Sequence, residues 1–121
     1  MQVLIVESSP DLGTIWKRHL ERQGMTVTLV GGQDDAIDYL HIQAPELIVL
    51  DLVLDEGSAF AVADYANYRH PQTRVIFTTN ASFFSDGSIF QHSANACAFV
   101  PKQVDPEDLS AMVAHYGKAA S

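Results

Sequence analysis

Asp51 is the residue of this chain best placed to do chemistry. It closes the apolar run Glu46-Leu47-Ile48-Val49-Leu50 and opens the loop Leu52-Val53-Leu54-Asp55-Glu56-Gly57-Ser58. A short branched run reads as a buried strand, and the Gly/Asp-rich segment behind it as a turn. In open α/β sheets, ligands gather just beyond the carboxyl ends of strands. A carboxylate there is held by a rigid strand and can serve as a nucleophile or a cation ligand. The duller alternative is an aspartate that only caps the next turn.

The elements that would position Asp51 follow from hydrophobic spacing. Val3 to Val6 is a continuous apolar run, which reads as a strand buried on both faces. Ser9 offers a helix cap and Pro10 a first helical residue, with Leu12, Ile15, Trp16 and Leu20 at helical spacing and Gly24 as the stop. Met25 to Val30 reads as a second strand, with Gly31-Gly32 as its turn. Asp34 to Ile42 reads as a short helix with Ala36, Ile37 and Leu40 inward. Leu47 to Leu50 is the third strand. Ser58 can cap a helix through about Arg69 that buries Phe60, Val62 and Tyr65 in some combination, and His70-Pro71 breaks it.

Val75 to Thr78 is a fourth strand and Cys97 to Val100 a fifth. Between them, Asn80 to Ala96 is helical by position, yet Ser85-Asp86-Gly87-Ser88 sits in its middle. A glycine there costs about 1 kcal/mol against alanine, so a short, frayed or displaced helix is expected. Asp105-Pro106-Glu107-Asp108 is a strong helix start, continued by Leu109, Met112, Val113 and Tyr116. Five strands alternating with five helices call for a single doubly wound α/β domain with a parallel sheet, of expected order 2-1-3-4-5. That order opens a crevice between strands 1 and 3 and brings Glu7, Asp51 and Thr79 to one rim.

The 121 residues suffice for one domain, with Gly117-Lys118-Ala119-Ala120-Ser121 as a small-residue tail or linker. An apolar content of 47% supports a packed core. The net charge of -8, from 15 acids against 7 bases, argues against direct nucleic-acid binding and an anionic membrane surface. A protein partner or a cation fits better. The single cysteine permits no internal disulfide and reads as a small buried hydrophobe. No stretch approaches the roughly 20 apolar residues of a membrane span, and the first residues lack a signal peptide's basic start. A cytoplasmic setting is expected. The five histidines show no metal-ligand spacing and read as surface or satisfied side chains.

At these strand ends the chain resembles the receiver domain of two-component response regulators, over essentially its whole length. Asp51 to Ser58 resembles the family's phosphoacceptor strand and loop. Val75-Ile76-Phe77-Thr78-Thr79 resembles the strand ending in the switch hydroxyl. Phe99-Val100-Pro101-Lys102 resembles the strand with the switch aromatic and essential lysine, and Val3 to Ser8 the first strand and its acidic pair. The resemblance implies phosphoryl transfer to Asp51 from a sensor histidine kinase or phosphotransfer protein. It implies magnesium held by Glu7, Asp51 and the Val53 backbone carbonyl, with Lys102 and Thr79 against the phosphoryl oxygens. Added charge would draw Thr79 inward and let Phe99 rotate into the vacated space. Such a domain is not an enzyme in the ordinary sense; at most it catalyses its own phosphorylation and dephosphorylation.

The chain departs from that pattern where it bears on the metal. Ser8, neutral, stands at the second acidic position, so magnesium is expected to bind weakly and Ser8 is a doubtful ligand. Asp55 replaces a common proline, Asn80 a small residue after the switch hydroxyl, and Gln103 the proline after the lysine. Asn95 stands where glycine is common, and Asn tolerates the left-handed conformation best of the alternatives. The competing reading is a degenerate receiver acting by protein contact alone. Its surface would be the face of the fourth helix, fifth strand and fifth helix, where a homodimer can also form. Phe83, Phe84, Ile89 and Phe90 make that fourth helix unusually aromatic. A flavodoxin-like nucleotide binder is disfavoured, since Glu7-Ser8-Ser9-Pro10-Asp11 would repel phosphates.

Overall fold

In the computed structural model, which describes residues 1–80 and 94–120, the apolar runs form strands and the amphipathic segments form helices. In chain order these are β1 (Gln2–Val6), α1 (Pro10–Arg22), β2 (Thr26–Val30), α2 (Gln33–Ile42), β3 (Leu47–Asp51), α3 (Ala59–Arg69), β4 (Arg74–Thr79), β5 (Ala96–Pro101) and α4 (Pro106–Ala120). The strands make one parallel sheet in the order β2-β1-β3-β4-β5. The expected topology is therefore the observed one.

Alternation along the strands divides the core into two layers. Leu4 and Val6 of β1, Ile48 and Leu50 of β3, and Val75 and Phe77 of β4 pack against α2 and α3. Val3 and Ile5, Leu47 and Val49, and Ile76 point to the other face, against Trp16 and Leu20 of α1 and Leu109 and Val113 of α4. The central strand β3 is buried along its whole length. Burial at roughly 25 cal/mol per Å² of apolar surface makes this two-sided core the main source of stability.

Helix ends use the expected chemistry. The Ser9 and Ser58 hydroxyls accept hydrogen bonds from the backbone N–H groups of Leu12 (3.4 Å) and Ala61 (3.2 Å). Gly24 takes the left-handed conformation (φ +90°) that ends α1. Asp105 caps α4 through the Glu107 N–H at 2.9 Å.

Several expectations are corrected. Among the described residues there are four helices, not five. The helix expected at Asn80 to Ala96, with its four large apolar residues, falls almost wholly on residues 81–93, outside the described residues, and α4 is the helix expected as the fifth. Residues 117–120, within the segment expected as a tail or linker, continue α4; Gly117 is tolerated because the Met1 side chain lies where its Cβ would be. The buried stripe of α3 is Ala59, Val62, Ala63 and Ala66, small residues that bring the helix close to the sheet, while Phe60 and Tyr65 stay half-buried at its flanks. Ile15 of α1 is exposed and Ile37 half-buried. Asn95 is not left-handed; its side-chain N–H donates to the Ala63 carbonyl (3.1 Å), which ties the start of β5 to α3.

Candidate functional site

The sheet register delivers the chemistry-bearing residues to one rim. Glu7 extends the β1–β2 ladder through its N–H to the Val30 carbonyl (3.1 Å). Asp51 pairs with Thr78 in the β3–β4 register, and Thr79 pairs with Pro101 in that of β4 and β5. Backbone bonds from Leu52 to Thr78 (2.8 Å) and from Lys102 to Thr79 (3.1 Å) carry the ladder one residue beyond each strand. Glu7, Asp51 and Lys102 thus emerge side by side because three strands end level.

Two buried carboxylates share one ammonium. Glu7 is 2% and Asp51 1% exposed. Lys102 Nζ donates to Asp51 Oδ2 at 2.9 Å and to Glu7 Oε2 at 3.1 Å. Glu7 Oε2 also accepts from the Ser9 N–H (2.8 Å), and Asp51 accepts from the N–H groups of Val53 (Oδ1, 3.2 Å) and Ser8 (Oδ2, 3.4 Å). Glu7 Oε1 is buried without a hydrogen-bond partner. Burial raises the Glu7 pKa; the Ser9 N–H opposes this, the Asp51 charge adds to it, and Lys102 opposes it. Burial works against the Lys102 charge, but bonds to Asp51 and Glu7 outweigh it and its pKa is raised. The ammonium is therefore held charged while one carboxylate is held under strain.

These groups open onto a cleft of about 430 Å³ lined by Glu7, Ser8, Ser9, Asp51, Val53, Asp55, Thr79, Asn80 and Lys102. Every residue expected at the site lines it except Phe99. That ring stacks on Phe77 (centroids 5.1 Å apart, planes 12° apart) and packs against the α2–α3 layer. The Ser8 hydroxyl accepts from the Asp55 N–H (3.0 Å), so it braces the loop after β3. Sequence reasoning missed that role, because a serine reads there as a lost carboxylate.

A model of the response regulator receiver domain matches residues 3–114. The chain belongs to the response regulator receiver family. It is 28% identical over 102 residues to the regulatory protein LuxO of Vibrio vulnificus, covering 84% of this chain and 22% of that protein. It is 30% identical over 113 residues to the response regulator protein PilR of Pseudomonas aeruginosa, covering 93% of this chain and 25% of PilR. The chain thus spans about a quarter of the length of these relatives. Among solved structures it resembles the signal receiver domain of a Luxo repressor protein from Vibrio parahaemolyticus, with 30% identity, a TM-score of 0.87, and coverage of 98% and 91% of the two chains. A CheY-like receiver from Methanospirillum hungatei shares the fold at a TM-score of 0.88 and 21% identity, covering 98% of this chain and 94% of that one.

Receiver domains generally use magnesium, and the residues here fit it in a reduced form. Two carboxylates and a backbone carbonyl would supply the hard oxygen donors that magnesium prefers. The orphaned Glu7 Oε1 is the strongest indication, since a buried acceptor without a donor costs about 1–3 kcal/mol and a coordinated cation would satisfy it. Among the described residues, no group of three or more His, Cys, Asp or Glu is gathered around a common point. Lys102 already offsets one of the two negative charges.

The remaining candidates are structural. His70 Nε2 bonds the Leu40 carbonyl (2.7 Å) and His41 Nδ1 the Tyr65 hydroxyl (3.0 Å), whereas His19 Nε2 is buried without a partner, against expectation. Cys97 is half-buried rather than buried; its thiol donates to the Val75 carbonyl, and burial raises its pKa, which makes it a poor nucleophile. No helix among the described residues is long and apolar enough to cross a membrane.

Proposed function

We propose that this receiver domain is a phosphoacceptor, modified on Asp51 by a histidine kinase or phosphotransfer protein in the cytoplasm. The observation that carries this reading is the buried Asp51–Lys102–Glu7 arrangement at the mouth of the cleft. An Asp51 carboxylate oxygen forms the new bond to phosphorus while the bond to the donor's imidazole nitrogen breaks, and that nitrogen keeps the electron pair. Attack on an already anionic phosphoryl group needs positive charge on both sides. Lys102 supplies one side, moving from the carboxylates to a phosphoryl oxygen. Magnesium, when bound by Glu7, Asp51 and the Val53 carbonyl, supplies the other. The Thr79 hydroxyl donates to a third oxygen. Added charge of about one to two units draws Thr79 toward Asp51, and the Phe99 ring, stacked on Phe77, reorients in response. The domain releases phosphate only by slow hydrolysis of its own acyl phosphate, so it is a switch rather than an enzyme with a separate substrate.

One observation favours a second reading. With Ser8 turned to the Asp55 amide and Lys102 bridging both acids, the site is already neutralised in part without a cation. A receiver of this kind can act by protein contact alone, through the α4–β5 side and the segment before β5. Incubation with a small-molecule phosphodonor across a magnesium titration, read by intact mass, separates the two. A single Asp51-dependent phosphoryl gain supports the phosphoacceptor, and no gain at any metal concentration supports the contact domain.

A further inference from the structure

The loop after Asp51 is pinned at both ends, and only one pin belongs to the cleft. On the near side, the Asp55 N–H is held by the Ser8 hydroxyl and the Val53 N–H by Asp51 itself. On the far side, the holding residue is Gln33, at the first position of α2. Its amide oxygen accepts from the Ser58 N–H at 2.8 Å, and its backbone N–H donates to the Glu56 carbonyl at 3.1 Å. Gly57, between them, has φ +94°, and a Cβ there would run into the Gln33 side chain. Gly32 makes a similar approach, since a Cβ on it would sit 3.1 Å from the Glu56 carbonyl oxygen. One glycine and two hydrogen bonds therefore converge on Gln33, and a second glycine lets the start of α2 approach Glu56. On the near side, ahead of the far pin, Leu52 and Leu54 are buried and Val53 is exposed.

We propose that Gln33 is a positioning residue for the phosphoacceptor site: by anchoring Glu56–Ser58 to α2 it sets the path of the loop and hence the place of the Val53 carbonyl. Gln33 touches neither Asp51 nor the cleft, so it acts only through the loop. The inference rests on the phosphoacceptor reading for its effect on metal, but not for its effect on the loop. A short loop held at both ends keeps its carbonyl in one direction, and magnesium tolerates little departure from octahedral geometry. Losing the side-chain half of the far pin loosens the loop and lets that carbonyl wander.

The test compares the wild type with Gln33→Met, which keeps the stem and removes the oxygen acceptor, and Gln33→Glu, which keeps an acceptor for the Ser58 N–H. Amide hydrogen exchange, read residue by residue by NMR in metal-free buffer, is followed by the magnesium midpoint of phosphoryl uptake from a small-molecule donor. Gln33→Met is expected to speed exchange at Ser58, Asp55 and Val53 together by about five-fold, the equivalent of one net hydrogen bond. It should raise the magnesium midpoint by a similar factor while Val49 in β3 stays protected, and Gln33→Glu should restore both. Acceleration confined to Ser58, or an unchanged midpoint in a protein that does take up phosphoryl, overturns the proposal. If the wild type takes up no phosphoryl at all, the phosphoacceptor reading fails, and exchange alone decides: concerted acceleration upholds the pinning, and confined acceleration refutes it.

Discussion

The two ends of the sheet each carry a cleft, and they differ in chemistry rather than in size. At the end opposite Asp51, a cavity of about 480 Å³ is lined by residues 44–46 and 69–73. The side chains there are tied to backbone: Thr73 Oγ1 donates to the Pro45 carbonyl (2.6 Å), His70 bonds the Leu40 carbonyl, and Arg69 donates to the His41 carbonyl (2.9 Å). These polar atoms are spent on tying the end of α3 and the turn after it to the end of α2 and the turn before β3. The Asp51 cleft is slightly smaller, yet it holds two buried carboxylates, one shared ammonium and an orphaned oxygen. Capacity for chemistry follows the unbalanced charge, not the volume.

The largest contrast should come from Lys102→Met. Removing the shared cation leaves two carboxylates buried side by side. The expected loss is about 2 kcal/mol of stability, less than the 3–5 of a fully enclosed pair because the site opens to solvent. Phosphoryl uptake should fall by orders of magnitude. Urea denaturation and intact mass measure the two, and a stable variant that still takes up phosphoryl would break the contrast.

Ser8→Asp should sharpen it in the other direction. An added carboxylate oxygen can still accept from the Asp55 N–H while raising the charge offered to a cation, so the magnesium midpoint should drop about tenfold. An unchanged midpoint would mean that the loop brace, not the missing charge, sets metal affinity.

At the opposite end, Thr73→Val should cost about 1–2 kcal/mol through the orphaned Pro45 carbonyl and leave phosphoryl uptake untouched. A change in uptake would show that the two ends communicate.

The smallest effect is in pH. Because the Glu7 pKa is raised in the folded domain, chiefly by burial, the folded state keeps a proton longer than the unfolded state does as pH rises from the ordinary carboxylate value to the raised one. Its contribution to stability is complete below the ordinary carboxylate pKa and is lost as pH rises through the raised value. In metal-free buffer, Glu7→Gln should therefore flatten the stability profile over that interval and make the domain more stable than wild type at neutral pH. An identical pH slope in both proteins would contradict this assignment.

How much of this was legible in the sequence follows from what each part depends on. Continuous apolar runs such as Val3 to Val6 and Leu47 to Leu50 made the two-sided sheet readable, because burial on both faces leaves no alternation to confuse it. Much of the rim was legible for the same reason: strand ends bring Glu7, Asp51 and Thr79 together once the order is known, whereas Lys102 was named through the family resemblance. The α3 stripe was legible in part: Val62 is buried as expected, whereas Phe60 and Tyr65 stay at its flanks because close approach to the sheet favours the alanines beside Val62. Asn95 was misjudged because its side chain, not its backbone, meets the need. The Gln33 anchor left almost no trace, since its bonds join α2 to a loop some 25 residues away and only Gly57 hints at the crowding.

Whether Asp51 accepts a phosphoryl group in this partly neutralised site is read by intact mass after incubation with a small-molecule phosphodonor, with magnesium titrated from absent to saturating and Asp51→Ala in parallel. The expected result is one phosphoryl gain that requires magnesium, with a high midpoint, and is lost in Asp51→Ala. A folded wild type that gains nothing at saturating magnesium, or an Asp51→Ala protein that gains as much, would contradict it.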